Sequence, residues 1–273
     1  MADTEPIVEA DRRDAPVSGD IQAVARVCRI LEMFCESSGL MPSDIARTLD
    51  LQRPTVSRYL SSLVRERFLG RAQDGSYVIG PTLLELGIAA VGKSPVANAG
   101  PYMRRLVQEV QETVVLSVWG GDGPVISNVE EDDSRLVHVS VRVGSSLPFD
   151  AAQSQVFLAY LPDREEVDRL LRRFPEAAQR DMRTQLRHVS QLGFAVNSRV
   201  VDGMRAVAAP VFGRDGTIEA TLAIVGTTAT VPQRKDSHAV QALLRTARQL
   251  SWHQGHRPAP DADDNFMEVT DGT

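Results

Sequence analysis

The chain has 273 residues, 42% of them hydrophobic, and a formal net charge of −6, which suits one large or two ordinary domains with real cores. No apolar run reaches the ~18 residues that a membrane span needs, and the N-terminal stretch MADTEPIVEADRRDAPVSGD lacks the apolar segment of a signal peptide. The expected compartment is the cytoplasm.

The net charge changes meaning when it is divided along the chain. Residues 1–20 carry Asp3, Glu5, Glu9, Asp11, Asp14 and Asp20 against Arg12 and Arg13, a balance of −4. Residues 256–273 carry Asp261, Asp263, Asp264, Glu268 and Asp271 against Arg257, again −4, which leaves +2 for the body between them. Two polar acidic tails, residues 1–19 and 256–273, are expected to be disordered. Cys28 and Cys35 are the only cysteines. Seven residues apart on a helix they are roughly 10 Å apart along the axis, beyond disulfide reach, and their place on the apolar face predicts core packing.

In chain order, residues 21–38 form a helix with Val24, Val27, Cys28, Leu31, Phe34 and Cys35 on one face, stopped by Gly39. Ser43 is expected to cap a second helix that buries Ile45, Ala46 and Leu49. After a tight connection at Gln52, Pro54 opens a third helix over TVSRYLSSLVRERF, whose inward face is Val56, Tyr59 or Leu60, Leu63 and Val64. Two short apolar runs then flank Asp74–Gly75, a strong hairpin signal. Three helices followed by a hairpin is the winged helix-turn-helix plan, with the third helix in the major groove and the hairpin beside the backbone. The segment DLQRPTVSRYLSSLVRERFLG concentrates Arg53, Arg58, Arg65 and Arg67 against only Asp50 and Glu66. On this plan Ser43, Arg53, Thr55, Ser57, Arg58, Tyr59 and Arg71 are the candidate DNA contacts. Arginine binds guanine bidentately, while hydroxyls and phosphate-directed arginines set register. A solvated helix face is the plainer alternative for each.

A helix over TLLELGIAAVGK and a linker at SPVANAGP (94–101) follow, then an amphipathic helix over 102–112. Strands are predicted over 113–119, 124–129 and 135–143, the last alternating Val137, Val139, Val141 and Val143 with His138, Ser140 and Arg142. The Asp163/Glu166 pair opens a helix that buries Val167, Leu170, Leu171 and Phe174. Residues 205–212 and 217–226 read as a hairpin, and a helix from about Gln233 to His253 closes the domain. The expectation is an α+β chain with a mainly antiparallel C-terminal sheet.

DIARTLDLQRPTVSRYLSSLVRERFL, the wing and YVIGPTLLELG resemble the IclR family of bacterial transcription regulators. VGSSLP (143–148), GFAV (193–196) and AAPVF (208–212) resemble that family's effector-binding domain, which has a GAF-like fold. The resemblance covers about residues 20–255. It implies a winged helix-turn-helix domain over 20–80 (helix-turn-helix about 41–60), a linker helix and linker over 81–100, and an effector-binding domain over 101–255. It also implies a repressor that binds an operator as a homodimer or homotetramer under control of a small molecule. The alternative is a DNA-bound scaffold whose C-terminal domain only oligomerises.

Several positions depart from the family pattern. After VGxxLP the chain reads FDAAQSQVFLAY, without the usual Gly-Lys. Asn197, Ser198 and Arg199 replace acidic residues, Ala206 stands at a Cys position, and hydroxyl positions on the last strand align with Ala223 and Val225. The resemblance therefore implies a pocket lined by Gln153, Asn197, Met204, Ala206, Ala223 and Val225, suited to an apolar or aromatic effector with Asn197 or Gln153 as polar anchor. Arg199 turned inward would instead favour an anion. No cofactor or metal is expected. His138, His188, His238, His253 and His256 fall in no catalytic motif, and no base is placed to activate an Asp150/Ser154 pair. No enzyme is expected.

Overall fold

The computed structural model describes residues 21–35, 37–92, 95–132 and 139–257, so both acidic tails lie outside the described residues. Contacts divide the chain into two compact units that meet between Ala90 and Val91.

The first unit begins with α1 (Gln22–Glu32), which runs into a 3-10 turn at Met33–Cys35. Helices α2 (Pro42–Thr48) and α3 (Arg53–Arg65) follow, then β1 (Leu69–Arg71), β2 (Tyr77–Ile79) and the start of α4 (Pro81–Gly92). Its core is Ile30, Phe34, Ile45, Val56, Leu60, Leu63, Leu69 and Tyr77. Gly80 lets the wing close on the end of α3, since a Cβ there would stand 2.3 Å from the Arg67 carbonyl oxygen.

Three expectations need correction in this unit. Cys28 and Cys35 are exposed, because α1 turns Ile30 and Phe34 into the core with Val27 and Leu31 packed beside them. Val24, Cys28 and Cys35 fall on a neighbouring stripe that this core leaves uncovered. Ser43 does not cap α2: the cap position is Met41, Pro42 starts the helix, and Ser43 is its second residue. Proline's fixed φ suits that first position and drives the preceding residue into the extended region. Finally, α3 stops at Arg65, where the chain turns through Arg67 at φ 62.

The second unit comprises α5 (Gly100–Val110), β3 (Thr113–Trp119), β4 (Pro124–Glu130), α6 (Ala152–Tyr160), α7 (Arg164–Leu171), α8 (Glu176–Leu192), β5 (Ala195–Asn197), β6 (Met204–Phe212), β7 (Ile218–Thr227) and α9 (His238–His253). The strands form one sheet in the order β4-β3-β7-β6-β5, and every pairing is antiparallel. One face, carrying Val114, Leu116, Val207, Leu222 and Ile224, packs on α5 and α9. The other, carrying Val115, Ala208, Ala223 and Val225, packs on α6, α7 and α8. The period of two along each strand sends alternate residues to different helices. Asp163 caps α7 by accepting from the N–H groups of Glu165 and Glu166, each at 3.0 Å.

The expected strand over 135–143 is not realised where it is described. Residues 133–138 lie outside the described residues, and Val139–Arg142 have no regular pairing. The alternation reports burial only in part, since Val139 and Val141 pack into the second core and Ser140 and Arg142 face solvent, but Val143 is exposed as well. The next segment lies beside β4: Ile126 N–H donates to Ser145 at 3.0 Å and Gly144 N–H to Ile126 at 2.8 Å. Helix α9 starts five residues later than expected. The 17-residue α8 was not anticipated, although Pro175 before it and Gly193 after it at φ 80 mark both ends.

Candidate functional site

In the first unit, α2 and α3 are locked by Ile45, Val56 and Leu60, all fully buried. The turn between them holds Asp50 at φ 49, and Leu51 N–H donates to the Ala46 carbonyl at 2.9 Å. This fixes which side of α3 stays outside. Arg53, Ser57 and Arg58 are exposed there, whereas Thr55 and Tyr59 are half-buried. The four arginines divide into two kinds. Arg65 pairs with Glu66 at 3.0 Å and Arg67 with Glu85 at 3.2 Å. Among the described residues, Arg53 and Arg58 make no ion pair, so their charge is available to a polyanion. Ser43 is exposed in the first turn of α2, a position where a helix N-terminus favours phosphate.

The wing carries Arg71, exposed, with its guanidinium 5.9 Å from the centroid of the Tyr77 ring. Its turn is tied by Asp74, whose Oδ1 accepts from Ser76 Oγ at 2.7 Å and Ser76 N–H at 2.9 Å. These hydrogen bonds hold the Asp74 carboxyl below its ordinary range. Gly75 at φ 86 completes the turn.

In the second unit, strand register gathers most of the expected effector residues. Asn197 pairs with Ala206, Ala206 with Val225, and Val225 with Thr113, a single row across four strands. Met204 lies two residues beyond Ala206 on the same strand face, half-buried like it. Ala223 lies two residues from Val225, in the row of Ala195, Ala208 and Val115, and is fully buried with α6 packed in the same core. Gln153 belongs to the next level down, where its Nε2 donates to Ser117 Oγ at 2.9 Å.

Both expected anchors already donate through their side-chain nitrogens. Asn197 Nδ2 donates to the Asp150 carbonyl, and its Oδ1 accepts from Arg199 N–H at 2.6 Å. Arg199 is exposed. Ser154 Oγ donates to the Pro148 carbonyl at 2.7 Å, so it is no nucleophile partner of Asp150. Sequence reasoning missed Ser117, Trp119 and Thr221, which stand beside Gln153. A polar residue inside the apolar runs TVVLSVW and TLAIVG was the signal for two of them.

A cavity of about 1220 Å³ opens elsewhere, between α5, α9 and the end of β6, and none of the expected effector residues lines it. It is wider than the ~300–1,000 Å³ of ordinary small-molecule sites, and its Arg105, Arg245 and Arg248 are exposed. We read it as a surface groove rather than the effector chamber. Among the described residues no cluster of three His, Cys, Asp or Glu side chains could hold a metal, and no helix is long and apolar enough to cross a membrane.

Comparison with known proteins decides the family. Residues 23–72 match the IclR helix-turn-helix domain, and residues 89–252 match the C-terminal domain of bacterial IclR transcriptional regulators. The chain belongs to the IclR family. It is 30% identical over 262 residues to the HTH-type transcriptional regulator BhcR of Paracoccus denitrificans (strain Pd 1222), covering 90% of this chain and 91% of that one. It is 29% identical over 251 residues to the HTH-type transcriptional repressor AllR of Escherichia coli (strain K12), covering 88% and 92%. An IclR homologue from Microbacterium hydrocarbonoxydans, crystallised with 4-hydroxybenzoate, shares the fold with a TM-score of 0.71 at 22% identity, over 85% of this chain and 98% of that one. As an IclR-family member the chain is a DNA-binding transcription regulator, not an enzyme.

Proposed function

We propose that this regulator is a cytoplasmic repressor that binds a pseudo-palindromic operator as a homodimer or homotetramer and is released or retained by a small-molecule effector. The observation that carries the reading is the pair Arg53 and Arg58, exposed and without an ion pair among the described residues, on the third helix of a winged helix-turn-helix. Ser57 and Thr55 add hydroxyls beside them, Tyr59 adds a phenol, and Ser43 and Arg71 flank them on α2 and the wing. Half-sites then lie about 34 Å apart, one helical turn, or a multiple of it. The name of AllR, a repressor, supports the sign of control. A second copy is supported by exposed apolar side chains just before α1 and on α4, Ile21 at 68%, Leu84 at 62% and Ile88 at 62% exposure, since patches of this kind mark association surfaces.

The effector is proposed to be apolar or aromatic. Ala206, Ala223, Val225 and Met204 carry no charge, and a small carboxylate moved among them loses its water for few hydrogen bonds, a cost of several kcal/mol. That the fold of the Microbacterium homologue holds 4-hydroxybenzoate supports the size class. The test is fluorescence anisotropy on an operator selected from a random DNA pool, with and without a panel of aromatic compounds. Loss of affinity on ligand addition supports the reading. Thermal stabilisation by no compound in a broad library leaves the scaffold alternative instead.

A further inference from the structure

The sheet face covered by α6 contains a polar group of side chains that the fold itself leaves unfinished. Ser117 and Thr221 are register partners on β3 and β7, and both are fully buried. Gln153, 3% exposed, bonds Ser117 from α6. One turn along the same helix, Phe157 packs its ring 5.4 Å from that of Trp119, which follows Ser117 on the same face of β3. Gln153–Ser117 and Phe157–Trp119 are therefore successive rungs between α6 and the strand, and Thr221 stands beside the first. Two atoms of this group, Thr221 Oγ1 and Trp119 Nε1, are buried without a hydrogen-bond partner.

Such atoms weaken folding, because their hydration is lost and nothing replaces it. At position 221 a valine would fill nearly the same volume at no such cost. The matching residues on the opposite face of the sheet, Leu116 and Leu222, are apolar. Between them the indole N–H, the Thr221 hydroxyl and the Gln153 amide oxygen offer both donors and acceptors, the inventory that an uncharged hydroxyl or carbonyl group uses. The group holds no charge of its own, so a carboxylate finds no counter-ion in it.

We propose that Ser117, Gln153, Thr221 and Trp119 form the polar end of the effector chamber and select a ligand that carries an uncharged hydroxyl or carbonyl group on an apolar, aromatic body. The row Ala195, Ala208 and Ala223 lies between this polar end and the half-buried rim at Ala206 and Met204. Two such rows separate Val225 from Thr221, about 13 Å along the strand, enough length for an aromatic ring with a substituent. The proposal rests on reading the α6 face as the effector chamber. It moves the polar anchor from Asn197, whose amide is already bonded at both ends, to the Gln153 side.

Calorimetry on the full chain with 4-ethylphenol, 4-ethylbenzoate and ethylbenzene tests it, beside thermal melting of the wild type, Thr221→Val and Trp119→Phe. The expected result is tighter binding of 4-ethylphenol than of the other two, by about tenfold for a hydrogen bond of ordinary strength. Thr221→Val and Trp119→Phe should each remove most of that preference, and Thr221→Val, which conserves volume, should leave ethylbenzene binding unchanged and melt no lower than the wild type. If Thr221→Val melts higher but binds 4-ethylphenol as before, the group is structural and holds only a buried water, and the proposal falls. Tighter binding of 4-ethylbenzoate overturns the ligand class while the effector reading stands. Binding of none of the three overturns the proposal, and the broad library then decides whether the effector reading falls with it.

Discussion

On α3 the candidate contacts Arg53 and Arg58 are exposed charges without an ion pair among the described residues, held outward by a small core of Ile45, Val56 and Leu60. In the second unit the candidates are buried and neutral, and Ser117, Gln153 and Thr221 lie under a helix. The difference matches the ligands proposed for the two units. A polyanion is met at the surface, where long arginines lose little by staying hydrated until it arrives. A small apolar molecule has to be enclosed, and its few polar atoms then need partners inside the protein. The middle strands of the five-stranded sheet repeat the contrast, since Leu116 and Leu222 on the α5/α9 face are apolar where Ser117 and Thr221 on the α6 face are not.

The largest effect should come from the sealed face. Leu222→Ala removes a fully buried side chain and should cost about 2–5 kcal/mol in chemical denaturation. A loss under ~1 kcal/mol would mean that this face is no tighter than the other. On α3, Arg58→Ala should weaken specific operator binding by ~1–3 kcal/mol if it reads a base. If it touches only phosphate, the loss should be uniform across sequences and the salt slope should shrink by about one. Arg65→Ala, at a residue already paired with Glu66, should change operator affinity by less than ~0.5 kcal/mol. Equal effects of the two substitutions would erase the distinction between free and paired arginines.

Smaller effects sharpen the local reasoning. Asp163→Ala removes the α7 cap and should cost about 1 kcal/mol, with Asp163→Asn recovering most of it, both measured by urea unfolding. Asp74 titrates below its ordinary value in the folded wing because Ser76 donates to it twice. Its stabilisation is therefore present above the ordinary carboxylate value of 3.8 and is lost as pH falls through the depressed one. Asp74→Ala should lower the melting temperature at neutral pH and make no difference in strong acid. Glu219 has the opposite sign. Burial and nearby Asp215 raise its value, so its penalty grows as pH rises through the ordinary range and persists above the raised value. Glu219→Gln should stabilise slightly at neutral pH and have no effect in acid.

Local pattern carried much of the fold. The hairpin at Asp74–Gly75, strand β3, the β6–β7 hairpin and the Asp163 cap all depend on residues within a few positions of one another, and each stands where the sequence reading puts it. The resemblance marked out the row Asn197, Ala206 and Val225 as a group before any register was known. Less legible were features that depend on distant partners. Cys28 and Cys35 sit on an apolar stripe, but only the packing of Ile30 and Phe34 decides which of two adjacent stripes is covered. Residues Val139 and Val141 alternate like a strand and are half-buried like one, yet a ladder also needs a neighbour with free N–H and C=O groups, which periodicity does not supply. Helix α8 was overlooked because its charged sequence shows few apolar positions, although Leu186 and Val189 are enough to hold it.

The sequence by itself determined the winged helix-turn-helix order, the arginine-rich third helix, the α+β class of the second half and the family. These rest on spacing, on turn chemistry and on motifs whose meaning is local. Packing rather than pattern sorts the arginines, because Glu66 and Glu85 take up Arg65 and Arg67 while Arg53 and Arg58 face outward without an ion pair among the described residues. The tertiary structure alone set Ser117 against Thr221, residues more than a hundred positions apart, and closed α6 over them. The physical reason is the same in both cases. A side chain's hydration and its partners are properties of the space around it, and that space is made by segments the local sequence does not contain.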